Sequence, residues 1–154
     1  MKKYVWDTSA IVNIKERNEN GYSPGFSLMK DIRDGWIEGP YQNIFPSLAA
    51  FEVASTVSKL ERKDKPILRE FYIFDEHSLL YPIDQDLIYK SSDLFVLDGF
   101  KLLQGADLVF ACIAHIESAC LVTMDSKLAM HASKQVKVID LNKSKESANY
   151  FNEL

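Results

Sequence analysis

Gly105-Ala106-Asp107-Leu108-Val109-Phe110-Ala111-Cys112-Ile113-Ala114, followed closely by Cys120-Leu121-Val122-Thr123-Met124-Asp125, decides how this chain is read. The first stretch is an apolar run with one charge near its start. It predicts a buried helix beginning around Gln104 and reaching about Glu117. The second is a short β-branched apolar strand with an acid just past its end, followed by a short helix over Lys127 to Ala132. Helix, strand, acid, helix is the rhythm of an α/β chain.

The same rhythm extends in both directions. Tyr4-Val5-Trp6 reads as a strand, and Asp7-Thr8-Ser9 supplies capping residues for a helix to about Arg17. Asn18 to Gly25 reads as a loop, and Phe26 to Arg33 as a helix that Gly35 ends. Asn43-Ile44-Phe45 is the second strand, with Ser47 as N-cap of a helix to about Lys59. Pro66 suits the first turn of a helix to about Phe74. Ser78 to Ile83 is short and extended, and Asp84 caps a helix towards Leu97 that stops at Gly99. Val136 to Ile139 is the last strand, before a polar tail with room for a final helix. Strands separated by helices imply right-handed crossovers and a mostly parallel central sheet covered on both faces, a three-layer α/β/α sandwich.

The 154 residues suit a single domain, 1–154, and 47% hydrophobic residues suit a packed core. Neither repeats nor a Pro/Gly/Ser-rich linker divides the chain. Eighteen Lys+Arg against 22 Asp+Glu leave a net charge of −4, without the basic footprint of a simple nucleic-acid binder. Cys112 and Cys120 lie in apolar segments and read as reduced, buried thiols. The N-terminal stretch carries no signal-peptide core, and no apolar run approaches the roughly 20 residues of a membrane span, so the expected setting is cytoplasmic. In that setting the acceptor pattern Asn142-Lys143-Ser144 is coincidental. His77, His115 and His131 show no zinc-ligand spacing. Nucleotide-binding glycine motifs and a nucleophile elbow are absent.

Four acids stand apart from their solvated fellows. Asp7 follows an apolar strand, Glu52 is the only charge between Phe45 and Ser58, Asp107 leads an apolar helix, and Asp125 closes a strand. Each has a structural reading taken singly. Asp7 and Asp125 can cap helices, Asp107 suits a helix dipole, and Glu52 can point outward. Taken together, two lie at strand C-termini, Asp107 in the first turn of a helix, and Glu52 in the first or second turn of the helix after the second strand. In a parallel sheet both kinds of position open on one edge, where α/β sheets build their ligand crevices. Converging carboxylates repel, and hard divalent cations relieve that repulsion. Such a cation can acidify water and stabilise charge on a phosphodiester oxygen, and a second one about 4 Å away can hold the leaving oxygen. Cations would also supply the positive charge that the composition lacks.

These blocks resemble the PIN-domain family, particularly the VapC-type toxin ribonucleases of prokaryotic toxin–antitoxin pairs. Val5-Trp6-Asp7-Thr8-Ser9-Ala10-Ile11-Val12 is similar to the family's opening strand, D-T-S/N and helix. Phe51-Glu52-Val53-Ala54 matches its lone Glu in an apolar helix. Gly105 to Ala114 matches its third block, and Leu121-Val122-Thr123-Met124-Asp125 its hydrophobic strand with T-x-D. The resemblance runs along essentially the whole chain and implies a single PIN-like domain with Mg²⁺- or Mn²⁺-dependent endoribonuclease activity. Asp7 and Asp107 would be direct metal ligands, with Glu52 and Asp125 completing the catalytic cluster. One of the four, or a metal-bound water that they position, would be the base. Ser9 and Thr123 match positions that support the acids by hydrogen bonding, roles that a cap and a strand residue also explain. The resemblance further implies an RNA substrate, a homodimer, and a small antitoxin covering the cleft. Two departures are the long interval between Asp7 and Glu52 and Leu108 in place of a small residue after the third acid.

Two other readings compete. One is a non-catalytic PIN-like module that binds protein or RNA, against which the four intact acids argue. The other is a haloacid-dehalogenase-like phosphatase, which wants an Asp where Ser9 stands. Lys101, Lys127, Arg62 and Lys134 are candidates for RNA-backbone contact, or ordinary surface cations. Trp36 and Tyr41, flanked by Gly and Pro, are candidates for facing a partner.

Overall fold

The computed structural model describes residues 1–15, 17–18, 21–37, 39–61 and 76–143. Five strands form one sheet in the order β5-β4-β1-β6-β7, where β1 is Lys2–Trp6, β4 Tyr41–Pro46, β5 Ser78–Tyr81, β6 Cys120–Thr123 and β7 Val138–Asp140. Every neighbouring pair is parallel. Helices α1 (Thr8–Lys15), α2 (Pro24–Arg33), α3 (Ser47–Glu61), α4 (Gln85–Ser91), α5 (Gly105–Ile116) and α6 (Ser126–Ala132) flank it. The architecture is the expected three-layer α/β/α sandwich.

Tyr4, Val5 and Trp6 of β1 and Leu121, Val122 and Thr123 of β6 are all fully buried, with Cys120 nearly so. Unbroken apolar runs are what a central strand covered on both faces requires, because each side chain meets a helix whichever way it points. Edge strand β5 is only partly covered, and Leu79 and Leu80 are exposed. Trp6 stacks on Phe45 with ring centroids 6.5 Å apart, and its indole Nε1 donates to Asn43 Oδ1 at 2.9 Å, so the buried polar tip is satisfied. Cys112 and Cys120 are both buried, and among the described residues no disulfide joins them. Among the described residues no helix is long and apolar enough to cross a membrane.

Element bounds shift where side chains compete with the backbone. α2 begins at Pro24 rather than Phe26, since Ser23 caps it by accepting from Phe26 N and Pro24 takes the first helical position. α1 ends at Lys15, and β2 (Arg17–Asn18) and β3 (Gly21–Tyr22) pair as a two-residue antiparallel ribbon where the helix end and the loop from Asn18 to Gly25 were expected. Asp84 does cap α4, accepting from Leu87 N at 3.0 Å, but α4 ends at Ser91 instead of running to Leu97. There Ser92 Oγ donates to Tyr89 O, the local competition that ends helices at short polar residues. A 3₁₀ turn over Ser92–Leu94 follows. Val136 N still donates to Ala132 O, so Val136 belongs to the turn after α6 and the last strand starts at Val138. The helix expected over Pro66–Phe74 and the one in the tail lie outside the described residues.

The strand order positions the site. From β1 the chain moves outward through β4 to β5, then returns to the other side of β1 as β6 and continues to β7. The direction of winding therefore reverses between β1 and β6, and a crevice opens at the C-terminal ends of such a strand pair.

Candidate active site

Asp7 and Asp125 stand one and two residues beyond the ends of β1 and β6, the two strands that flank the reversal. Helix α5 leads directly into β6 and runs antiparallel to it, which brings Asp107, in its first turn, back to the same edge. Glu52 lies in the second turn of α3, the helix that follows β4. All four acids therefore stand on the C-terminal edge of the sheet.

Asp7 is the most buried of them, at 3% exposure. Ser9 Oγ donates to both of its carboxylate oxygens (2.8 and 2.9 Å), Ala10 N donates to Oδ1 (2.7 Å), and Thr123 Oγ1 donates to Oδ2. Burial pushes Asp7 up to about 6 against the pull of those donors, with the Asp107 charge adding to the rise. Ser9 and Thr123 also tie the two strand ends together. Met124 N donates to Ser9 Oγ at 2.9 Å, and Asp125 N donates to Thr123 Oγ1 at 2.8 Å. Both residues thus support the acids as the resemblance implied.

Asp107 is half-buried, and its carboxyl lies above the usual range because of burial first, then the charges of Asp125 and Glu52, with Lys127 opposing them. It accepts no hydrogen bond from the described residues, in contrast to the clamped Asp7. Asp125 is exposed, and its Oδ1 accepts from Lys127 N (2.8 Å) and Leu128 N (3.0 Å) as N-cap of α6. Its capping reading therefore holds, and its charge also raises the Asp107 carboxyl. Glu52 Oε2 accepts from Thr8 Oγ1. Thr8 was not singled out in the sequence, although it lies within the contiguous Asp7-Thr8-Ser9 block.

The charges of Asp125 and Glu52 reach Asp107, and that of Asp107 reaches Asp7. The rim is open, however. Among the described residues no three acidic, histidine or cysteine side chains converge into a ready-made metal cage. The donor set nonetheless suits a hard cation. It consists wholly of carboxylate oxygens, one of them unclamped, and Mg²⁺ commonly keeps most of its waters while binding through one or two carboxylates. Asp140, at the end of β7 beside Thr123, is a further acid at this edge. It is buried, Oδ1 accepts from Asn142 N (3.0 Å), and Oδ2 has no partner among the described residues. Its signal was the same as that of Asp7 and Asp125, an acid closing an apolar strand.

Of the candidate cations for RNA contact, Lys127 lies in the first turn of α6, and its charge lowers the Asp107 carboxyl against the acids that raise it. Lys101 and Lys134 instead both lie against Asp98, at 3.6 and 3.2 Å. Arg62 lies outside the described residues. His77 packs against the Tyr41 ring and His115 against Phe100, so neither stands with the acids.

No family model and no curated relative matches the chain. A solved structure does: VapBC2 from Rickettsia felis bound to a DNA fragment from their promoter aligns over 89% of this chain and 97% of that one, with 18% identity and a TM-score of 0.63. The chain has a VapC-like PIN fold. PAE2754 from Pyrobaculum aerophilum (17% identity, TM-score 0.47, covering 95% of this chain and 97% of that one) and FitAcB from Neisseria gonorrhoeae (16%, 0.49, 90% and 97%) also align. The PIN fold brings Asp7, Glu52, Asp107 and Asp125 to one sheet edge despite their separation in sequence.

The raised Asp7 makes stability pH-dependent in EDTA. The folded carboxyl titrates near 6, against 3.8 for the ordinary group, so the folded state holds this proton more tightly than the unfolded state does. Its contribution is therefore most favourable below the unfolded value and is lost as pH rises through about 4 to 6, a decline of about 2–3 kcal/mol. Asp7→Asn removes that component. Denaturant unfolding of both proteins across this range checks it, and equal slopes for parent and variant refute the assignment.

Proposed function

We propose that this chain is a divalent-metal-dependent endoribonuclease, the toxin of a toxin–antitoxin pair, with Asp7, Glu52, Asp107 and Asp125 as its catalytic and metal-binding residues. The observation that carries the reading is the placement of the four acids at the C-terminal edge of the sheet beside the strand reversal, where Asp107 accepts no hydrogen bond from the described residues. An oxygen-seeking cation would relieve the repulsion that this gathering of negative charge creates.

Mg²⁺ or Mn²⁺ bound there supplies charge neutralisation for a scissile phosphodiester and acidifies the attacking water. The chain does the rest by positioning. Ser9, Ala10 and Thr123 hold Asp7 in one orientation, so it presents fixed oxygens to the cleft. Thr8 orients Glu52 in the same way. Asp107, free of hydrogen bonds from the described residues, meets substrate-side charge and, with its raised pKa, is suited to accept a proton. Lys127, exposed in the first turn of α6, offers an ammonium to an RNA phosphate. A small antitoxin covering the rim and a homodimer complete the proposal, in a cytoplasmic setting. The VapBC2 likeness supports the partner, at the level of the fold.

Incubation with single-stranded and structured RNA tests the reading. Internal cleavage is expected with Mn²⁺ or Mg²⁺ and a loss of at least about 100-fold in EDTA, restored by returning the metal. Cleavage that persists in EDTA, or none under any metal condition, contradicts it.

A further inference from the structure

At the opposite edge of the sheet, where the strands begin, a cavity of about 430 Å³ opens between the starts of β1 and β6, the end of α5 and the turn into β7. That volume falls within the roughly 300–1,000 Å³ of small-molecule sites. Its walls carry Lys2, Lys3, Lys137 and His115, and none of its lining residues is acidic. Lys3 is neutralised by Glu117 (2.6 Å), whose other oxygen accepts from Tyr81. Lys2 and Lys137 have no ion-pair partner among the described residues. Two ammonium groups thus border one concavity in a chain of net charge −4.

The end of α5 would oppose an anion if its last carbonyls were open, but three of the last four are engaged. Glu117 N, Ser118 N and Ala119 N donate to Ile113 O, His115 O and Ala114 O. Ser118 makes this turn at φ 50°, in the left-handed region where glycine is usual after a helix, and adds a hydroxyl to the wall. Tyr4, another lining residue, has a buried hydroxyl without a partner among the described residues. Ala114, Ala119, Cys120 and Val136 add an apolar stretch of wall, and Gln135, whose Nε2 donates to Asp98 O, adds a polar one.

We propose that this cavity is a second binding site, distinct from the acidic rim, for a phosphorylated small molecule of mononucleotide size. Lys2 and Lys137 take the phosphate, since compact ammonium groups bind phosphate as point charges. The apolar wall takes the body of the ligand. Concavity and size favour a small molecule over a nucleic-acid strand.

Calorimetric titration of the full chain in EDTA, which keeps metal-bridged binding at the acids out of the measurement, separates the alternatives. AMP is expected to bind saturably and more tightly than either inorganic phosphate or adenosine. A Lys2→Gln/Lys137→Gln double variant is expected to weaken AMP at least about tenfold, as loss of charge-assisted contacts predicts, with RNA cleavage intact. Four results would overturn the proposal: no saturable AMP binding at millimolar concentration, AMP binding indifferent to the two lysines, phosphate alone binding as tightly as AMP, or an RNA oligonucleotide displacing AMP with the same lysine dependence.

Discussion

Asp107→Asn is expected to abolish RNA cleavage while leaving the protein folded. Asparagine keeps the shape and removes the charge, so the change isolates electrostatics from packing. Asp107 is half-buried and accepts no hydrogen bond from the described residues, so the fold gives up only the attraction of the carboxylate to Lys127 and to the start of α5. It is also relieved of repulsion from Asp125 and Glu52. The chemistry loses one of the four proposed metal-binding acids. A fall of about a thousandfold in cleavage rate, equivalent to about 4 kcal/mol of transition-state stabilisation, is expected. Unfolding in EDTA should be unchanged or shifted towards greater stability. Cleavage within a few-fold of the parent rules out the assigned role, and loss of activity together with loss of fold makes Asp107 a structural residue.

Gly99→Ala carries the largest expected loss of stability. Gly99 has φ +86° and ψ −55°, a conformation that side chains rarely adopt, and an added Cβ would lie 2.1 Å from the carbonyl oxygen of His131. That neighbour is backbone in the last turn of α6 and cannot rotate away. The segment is fastened there too, because Gln135 Nε2 donates to Asp98 O and Lys134 pairs with Asp98. Either the loop lifts off or α6 moves, and α6 is the helix that Asp125 caps. Strain and clash together should cost at least about 3 kcal/mol. Gly35→Ala is the control, since Gly35 has φ +79° but open space around it. Conformational strain alone should cost about 1 kcal/mol there. Equal losses for the two variants would show that the approach to His131 is unimportant.

Much of this was legible in the sequence because burial leaves a plain trace in parallel sheets. Tyr4-Val5-Trp6 and Cys120-Leu121-Val122-Thr123 are apolar throughout since both of their faces are covered, and the acid after each run marks a strand end. Glu52 and Asp107 stood out as lone charges in apolar helices. What stayed hidden depends on contacts between distant residues. The strand order, with its reversal between β1 and β6, is a tertiary fact that no local pattern carries. The clamp on Asp7 joins residues 7, 9 and 123, and the role of Thr8 emerges only once α1 and α3 pack. The early end of α4 turned on one serine hydroxyl. The cavity at the opposite edge is built from lysines that look like ordinary surface charge in the sequence.

Mn²⁺ is paramagnetic and broadens the amide signals of residues close to it, so it reports directly where cations gather on this chain. Titrating it into isotope-labelled protein should broaden the signals of Asp7, Thr8, Asp107 and Asp125 first, with the effect much reduced in Asp107→Asn. Broadening that begins elsewhere, or that survives the Asp107 substitution undiminished, would contradict the account of the acidic rim.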